Sequence, residues 1–184
     1  EQLARHALTH TPDDPTVLVL LADQELQQAL AGDTAQWTAA REHYRRAVEN
    51  TPAASNGVVR RTLSAGKLGL AWCLAFDPTR ARPAPAQVLA AFEDAIAAGP
   101  ENPAAWVGLG VARGMAGQDG PADEAFERAL ALDPDNSEAW CNRGYLHLQH
   151  RRFAAAADCL DRALRADPGN ARARELRSQV PRAR

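Results

Sequence analysis

Five pairs of residues recur at one spacing. Trp106 and Trp140, Gly110 and Gly144, Ala122 and Ala156, Ala129 and Ala163, and Pro134 and Pro168 are each 34 residues apart. The segments ERALALDPDN (127–136) and DRALRADPGN (161–170) are nearly one phrase written twice. A fixed period of this length means a supersecondary unit that cannot bury its apolar face alone and stacks on copies of itself. Helix punctuation fits the period. Asn102 before Pro103 and Asp14 before Pro15 place an N-cap ahead of a first-turn proline. Asp-Pro at Asp133–Pro134 and Asp167–Pro168 ends one helix and turns into the next. Against this background two glycines stand out. AWVGLGVARG, from Ala105, and AWCNRGYLHL, from Ala139, each put Gly four residues after Trp in an otherwise helical run. Gly inside a helix costs about 1 kcal/mol relative to Ala. Making that choice twice at one offset marks a point where another segment must approach the backbone closely.

The pattern resembles the tetratricopeptide repeat, a 34-residue helix–turn–helix with W-x2-L-G-x2-Y, then A-x3-F, then A, then P. Residues 103–136 supply Trp106, Leu109, Gly110, Ala122, Phe126, Ala129 and Pro134, with Arg113 where Tyr is usual. Residues 137–169 supply Trp140, Gly144, Ala156, Ala163 and Pro168, with Arg143 for Leu, His147 for Tyr and Leu160 for Phe. The resemblance implies an all-α fold, a right-handed α-solenoid of antiparallel helix pairs. It also implies that Gly110 with Ala122, and Gly144 with Ala156, mark the close crossing of the two helices in each repeat. The Trp would pack its bulk beside the gap, and Ala129 and Ala163 would admit the next repeat.

The same register extends toward the N-terminus with insertions, so residues 1–184 read as a single array. A partial repeat helix is expected over 1–12 and a repeat over 15–52, with Leu18, Leu21, Ala22, Ala40, Tyr44, Ala47 and Pro52 as landmarks. A divergent repeat over 55–100 carries Leu68, Gly69 and Trp72, then Val88, Phe92, Ala95 and Pro100. Its excess length divides about equally between the stretch before Leu68 and the loop DPTRARPAP, which three prolines keep non-helical. Residues 170–180 read as a capping helix with a polar outer side.

The chain opens on Glu1 with no leader pattern, and is read as a piece of a longer polypeptide. No apolar run approaches the roughly 18 residues of a membrane span. Three cysteines, Cys73, Cys141 and Cys159, fall at no metal-ligand spacing and read as buried inert thiols, which suits a reducing, cytoplasmic setting. Net charge is -2, and the Arg-rich stretch after residue 151 has no aromatic interleaved beyond Phe153. It reads as a solvated face, not a nucleic-acid patch. Neither nucleic acid nor membrane is expected as a partner.

No catalytic constellation emerges, and no cofactor or metal is expected. Gly108, Gly110, Gly114 and Gly117 are spread through a helix and a turn and form no phosphate loop. His147 and His150, and His6 and His10, have helical spacing but no acidic or Cys ligand placed beside them. The acidic pair Asp123–Glu124 reads as solvent face.

In the family this chain resembles, the first helices of the repeats line a concave groove that takes extended peptides or helices. Read at helical spacing opposite the packing residues, the groove candidates are Val19, Leu63, Lys67, Leu70, Leu74, Val107, Val111, Met115, Asn142, Tyr145 and Gln149. This stripe is more apolar than a solvated face, which marks either an interaction site or packing between first helices. The clamp that some family members use for a C-terminal carboxylate needs several converging Lys, Arg and Asn. Only Lys67 and Asn142 qualify here, so an apolar or amphipathic segment fits the lining better. The expected role is a protein–protein interaction scaffold. Two other readings are a non-catalytic, substrate-recruiting arm of a multidomain enzyme, and self-association through the end helices.

Overall fold

The computed structural model describes residues 11–52 and 56–181. The helix expected over 1–12, with His6 and His10, falls outside these residues save for Thr11 and Pro12. The described residues contain nine helices and no strand: α1 (Pro15–Leu30), α2 (Gln36–Asn50), α3 (Gly57–Phe76), α4 (Pro85–Ala98), α5 (Pro103–Met115), α6 (Asp119–Leu132), α7 (Ser137–Gln149), α8 (Phe153–Ala166) and α9 (Ala171–Gln179). The fold class is all-α, built of antiparallel helix pairs as in α-solenoids. The chain divides into two compact units, residues 1–105 and 106–184.

Side-chain caps start the first helices. Asp14 Oδ1 accepts from the amides of Thr16 (2.8 Å) and Val17 (3.2 Å), ahead of Pro15. Asn102, Asn136 and Asn170 stand at equivalent points and accept from Ala104, Ala139 and Ala173 at 2.8–3.1 Å. Each cap satisfies an amide that the helix itself leaves unpaired.

In the first unit, Leu18, Ala22 and Leu26 of α1 meet Trp37, Ala40 and Tyr44 of α2, and Cys73 of α3 joins them. Tyr44 donates to Asp23 Oδ1 at 2.5 Å. Glu25 is buried at 2% exposure, and its carboxylate lies 2.7 Å from His43 Nδ1. A buried carboxylate without such a partner would be costly.

The structure corrects the register of the divergent repeat. Ser64 donates to the Ala95 carbonyl (2.9 Å), and Asn102 Nδ2 donates to Ser64 Oγ (3.1 Å). In the second unit Ser137 donates to the Ala163 carbonyl (2.9 Å), and Asn170 Nδ2 donates to Ser137 Oγ (2.8 Å). Ser64 is therefore the counterpart of Ser137. Counting from it, the residue equivalent to Gly144 is Ala71, which is fully buried, and not Gly69. Gly69 has a different neighbour: a Cβ there would run into the ring of Tyr44 on the preceding helix. Pro52 precedes Ser64 by twelve residues, where Pro134 precedes Ser137 by three, so most of the excess length lies before Ser64 and only a minority in the loop after α3.

In the second unit the two repeated glycines do sit at close crossings, but their neighbours lie one turn beyond the expected alanines. A Cβ on Gly110 would stand 2.5 Å from Phe126 Cε1, and one on Gly144 would stand 2.7 Å from Leu160 Cγ. Ala122 and Ala156 are fully buried beside these points. The large residue four positions after each alanine fills the space that glycine leaves. Trp106 and Trp140 are half-buried, each with a guanidinium over its ring, Arg128 at 5.6 Å and Arg162 at 4.8 Å.

Candidate functional site

The groove candidates separate into core and surface. Val19 and Val107 are buried in the cores of their units, at 7% and 2% exposure. Val111 is half-buried and packs against the core of the second unit. On the same helix one turn later, Met115 is 57% exposed. On α7, Tyr145 is 40% exposed, Asn142 is half-buried and Gln149 is exposed. The structure adds one residue that sequence reasoning placed on a solvated face. Arg172 of α9 donates to Asn142 Oδ1 at 2.9 Å and lies 5.6 Å over the Tyr145 ring. Asn142, Tyr145 and Arg172 thus form one cluster of an amide, an aromatic ring and a cation. The signal for Arg172 was its place two residues after the Asn170 cap, where Glu138 follows Asn136.

In the first unit Leu63, Lys67, Leu70 and Leu74 are all half-buried, and Leu70 packs on the core. With Ser64 matched to Ser137, Lys67, Leu70 and Leu74 take the places of Trp140, Arg143 and His147, which are packing positions of the repeat. The counterparts of Asn142, Tyr145 and Gln149 are Gly69, Trp72 and Phe76. Trp72 stacks on Phe76 with ring centroids 5.3 Å apart, and meets Phe92 edge-on at 5.1 Å. Trp72 and Phe76 are both half-buried. Aromatic pairs at such spacing add about 0.5–1.5 kcal/mol beyond area burial. Leu20 on α1 is 56% exposed.

The remaining polar groups serve structure. Asp123, expected on the solvent face, is half-buried and receives Arg143 Nε at 2.6 Å, while Arg143 Nη2 reaches Glu127 at 2.5 Å. His150 Nε2 lies 2.7 Å from Asp119 Oδ2. His147 Nδ1 is buried with no hydrogen-bond partner, and burial holds this imidazole below its ordinary pKa. Among the described residues no group of three or more His, Cys, Asp or Glu is placed to hold a metal ion. The three cysteines are buried and unpaired. Burial pushes the Cys73 thiol up to about 12 and raises Cys141 and Cys159 as well, which suppresses the reactive thiolate. No described helix is long and apolar enough to cross a membrane.

Comparison with known proteins follows the same lines. Residues 85–117 and 120–181 each match a family model described as a tetratricopeptide repeat, together just over half of the chain. No curated protein sequence matches. The fold is similar to that of TTC0263, a thermophilic TPR protein of Thermus thermophilus. The TM-score is 0.75 and the identity 23%, covering 97% of this chain and 87% of that one. It is also similar to MamA, with TM-score 0.56, 17% identity, and coverage of 91% of this chain and 86% of that one. The TPR domain of Arabidopsis OM64 matches over 52% of this chain and 79% of its own, with TM-score 0.50 and 20% identity.

Proposed function

The chain is a tetratricopeptide repeat protein, and from that premise we propose that it binds a segment of a partner protein on the exposed faces of its first helices. One observation carries the reading. The second unit presents Met115 at the end of α5 and Tyr145 on α7, both large and substantially exposed. A globular chain normally buries such residues, and contiguous exposed apolar surface marks interaction sites. Asn142 and Arg172 beside Tyr145 supply the polar groups that fix orientation, and Gln149 extends the rim. The occupant suited to this lining is an amphipathic or extended segment whose apolar residues cover Met115 and Tyr145. In the first unit the corresponding face is the aromatic pair Trp72 and Phe76, half-buried and packed on the core like Leu70, with the half-buried Leu63, Lys67, Leu70 and Leu74 on the adjoining stripe.

The test is affinity capture from the source organism's lysate, read by mass spectrometry, with wild-type chain beside a Met115→Asp, Tyr145→Ala variant. Both residues are surface-exposed, so the variant should keep its melting temperature. Val111→Arg is the poorer probe, because Val111 packs on the core and a charge there perturbs folding as well as binding. A protein retained by the wild type and lost by the folded variant supports the reading. Equal capture by both removes these residues from the site.

A further inference from the structure

We propose that the cleft between Trp140, Arg162 and Arg165 binds a phosphate monoester. The cleft, of about 410 Å³, is lined by Pro134, Asp135, Trp140, Arg162, Arg165 and Ala166. Its two cations lie three residues apart on α8, one turn along one face. Neither has an ion-pair or hydrogen-bond partner among the described residues, whereas Arg41, Arg45, Arg46, Arg143 and Arg177 are each paired with a carboxylate. Two unpaired like charges at this spacing repel, and a dianion between them removes the repulsion.

Arg162 is already held for the purpose. Its guanidinium lies 4.8 Å over the Trp140 ring, and Trp140 Nε1 is fixed by donating to the Pro134 carbonyl at 2.8 Å. A cation–π contact uses the guanidinium's flat face and leaves its N–H edges free for an oxyanion. The preceding repeat isolates what is new here. The Trp–Arg contact recurs there between Trp106 and Arg128, also 22 residues apart, and so belongs to the repeat. Thirty-four residues before Arg165 and Ala166 stand Ala131 and Leu132. The second cation and the small residue that opens the cleft therefore arise together, in this repeat alone of the two. Asp135 is the one acid in the lining. Against two guanidinium groups it leaves a net single positive charge, so the site attracts anions, and phosphate is favoured over a carboxylate by its number of acceptor oxygens. Three phosphate oxygens can accept from both guanidinium forks at once.

The experiment uses the full chain, isotope-labelled, with the arginine Nε–Hε signals followed by NMR. Inorganic phosphate, O-phosphoserine and AMP are titrated at matched ionic strength, with sodium acetate as the control. Arg162 and Arg165 should shift together and saturably with at least one phosphate probe. The tightest probe identifies whether the phosphate is free, carried on a side chain or carried on a nucleotide. Arg165→Ala should weaken that binding about tenfold or more without moving the melting temperature, and Asp135→Asn should strengthen it. Shifts that rise linearly without saturation, that match those in acetate, or that spread equally over Arg151, Arg152 and Arg174 overturn the proposal.

Discussion

Gly110→Ala should destabilise the second unit, although Ala is the better helix former by about 1 kcal/mol. A Cβ at this position would lie 2.5, 2.7 and 2.9 Å from three ring carbons of Phe126. Carbon atoms at ease stand about 3.5–4.0 Å apart, so the ring would have to retreat by about 1 Å. Phe126 is 3% exposed and packed into the core with Val107, Ala122 and Ala129, which leaves it nowhere to go. Overpacking a filled core costs about 1–3 kcal/mol. With three ring atoms in conflict the upper part of that range applies, and the net loss is about 1–2 kcal/mol. Gly114→Ala is the internal control. It lies on the same helix with nothing within 4 Å of its added methyl, so it should gain about 0.5–1 kcal/mol. Both substitutions restrict the unfolded chain alike, and that contribution cancels in the comparison. Urea unfolding followed by circular dichroism should therefore separate the two midpoints by about 1 M or more. Phe126→Val should make room, so that adding Gly110→Ala in that background no longer destabilises. If Gly110→Ala unfolds at the same midpoint as Gly114→Ala, the crossing is not as close as the structure places it and the reasoning fails.

Three further outcomes follow from single groups. His147→Phe should raise stability by about 1 kcal/mol, since it removes a buried nitrogen that has no partner. Burial lowers the pKa of His147, so the unfolded chain takes up its proton first as pH falls. The stability of the wild type relative to His147→Phe should be constant above about pH 7 and decline as pH falls through the folded-state pKa, which melting curves at pH 7.5 and 5.5 would reveal. None of Cys73, Cys141 and Cys159 should react rapidly with a disulfide reagent at pH 8 until urea unfolds the chain; one fast thiol in the native protein would contradict the burial described. Ser64→Ala should cost about 1–3 kcal/mol, because Ser64 is fully buried and both accepts from Asn102 and donates to Ala95. An unchanged thermal midpoint would remove Ser64 from the repeat-equivalent role that fixes the register of α3.

What the sequence made legible was whatever repeats without insertion. The 34-residue spacing from Trp106 to Pro168 was enough to place the Gly crossings, because two copies share every landmark. Even there the neighbour of each glycine had to be seen. Gly110 meets Phe126 and Gly144 meets Leu160, one turn past the alanines that spacing alone suggested. Along α3 a glycine was the wrong anchor. Gly69 admits Tyr44 from the preceding helix, and glycine's lack of a side chain says only that something comes close, not which helix it belongs to. The reliable markers were polar. Ser64 with Asn102 repeats Ser137 with Asn170, and hydrogen-bond geometry tolerates less slippage than apolar contact does. Moving the anchor puts the half-buried Trp72 and Phe76, in place of Lys67, Leu70 and Leu74, at the positions that match Tyr145 and Gln149. Arg172 stayed hidden for another reason. An arginine in an Arg-rich segment looks solvated until the partner across the next helix, here Asn142 with Tyr145, is known.

One of the two departures from the repeat pattern on α7, Arg143, ties that helix to α6 by ion pairs. Arg143 stands where the pattern has Leu, and His147 where it has Tyr, four residues along the same face. On α6 the facing residues Asp119, Asp123 and Glu127 follow at intervals of four and form an acidic stripe, while His147 stays out of it as a buried imidazole without a partner. Arg143 reaches two of those acids and His150 the third. The seam between α6 and α7 thus adds charge to the apolar packing of Ala129 and Leu130 with Ala139 and Leu146, whereas the crossings of α5 with α6 and of α7 with α8 rely on glycine, alanine and a large apolar side chain. These two kinds of contact respond to different conditions. Half-exposed ion pairs weaken as salt screens them, and apolar packing does not. Salt should therefore loosen the second unit between its helix pairs before it loosens either pair internally. Amide exchange at increasing ionic strength would show this as earlier opening where α6 faces α7, while the amides beside Gly110 and Gly144 stay protected. Uniform acceleration across all four helices would mean that the charged seam contributes no separate step.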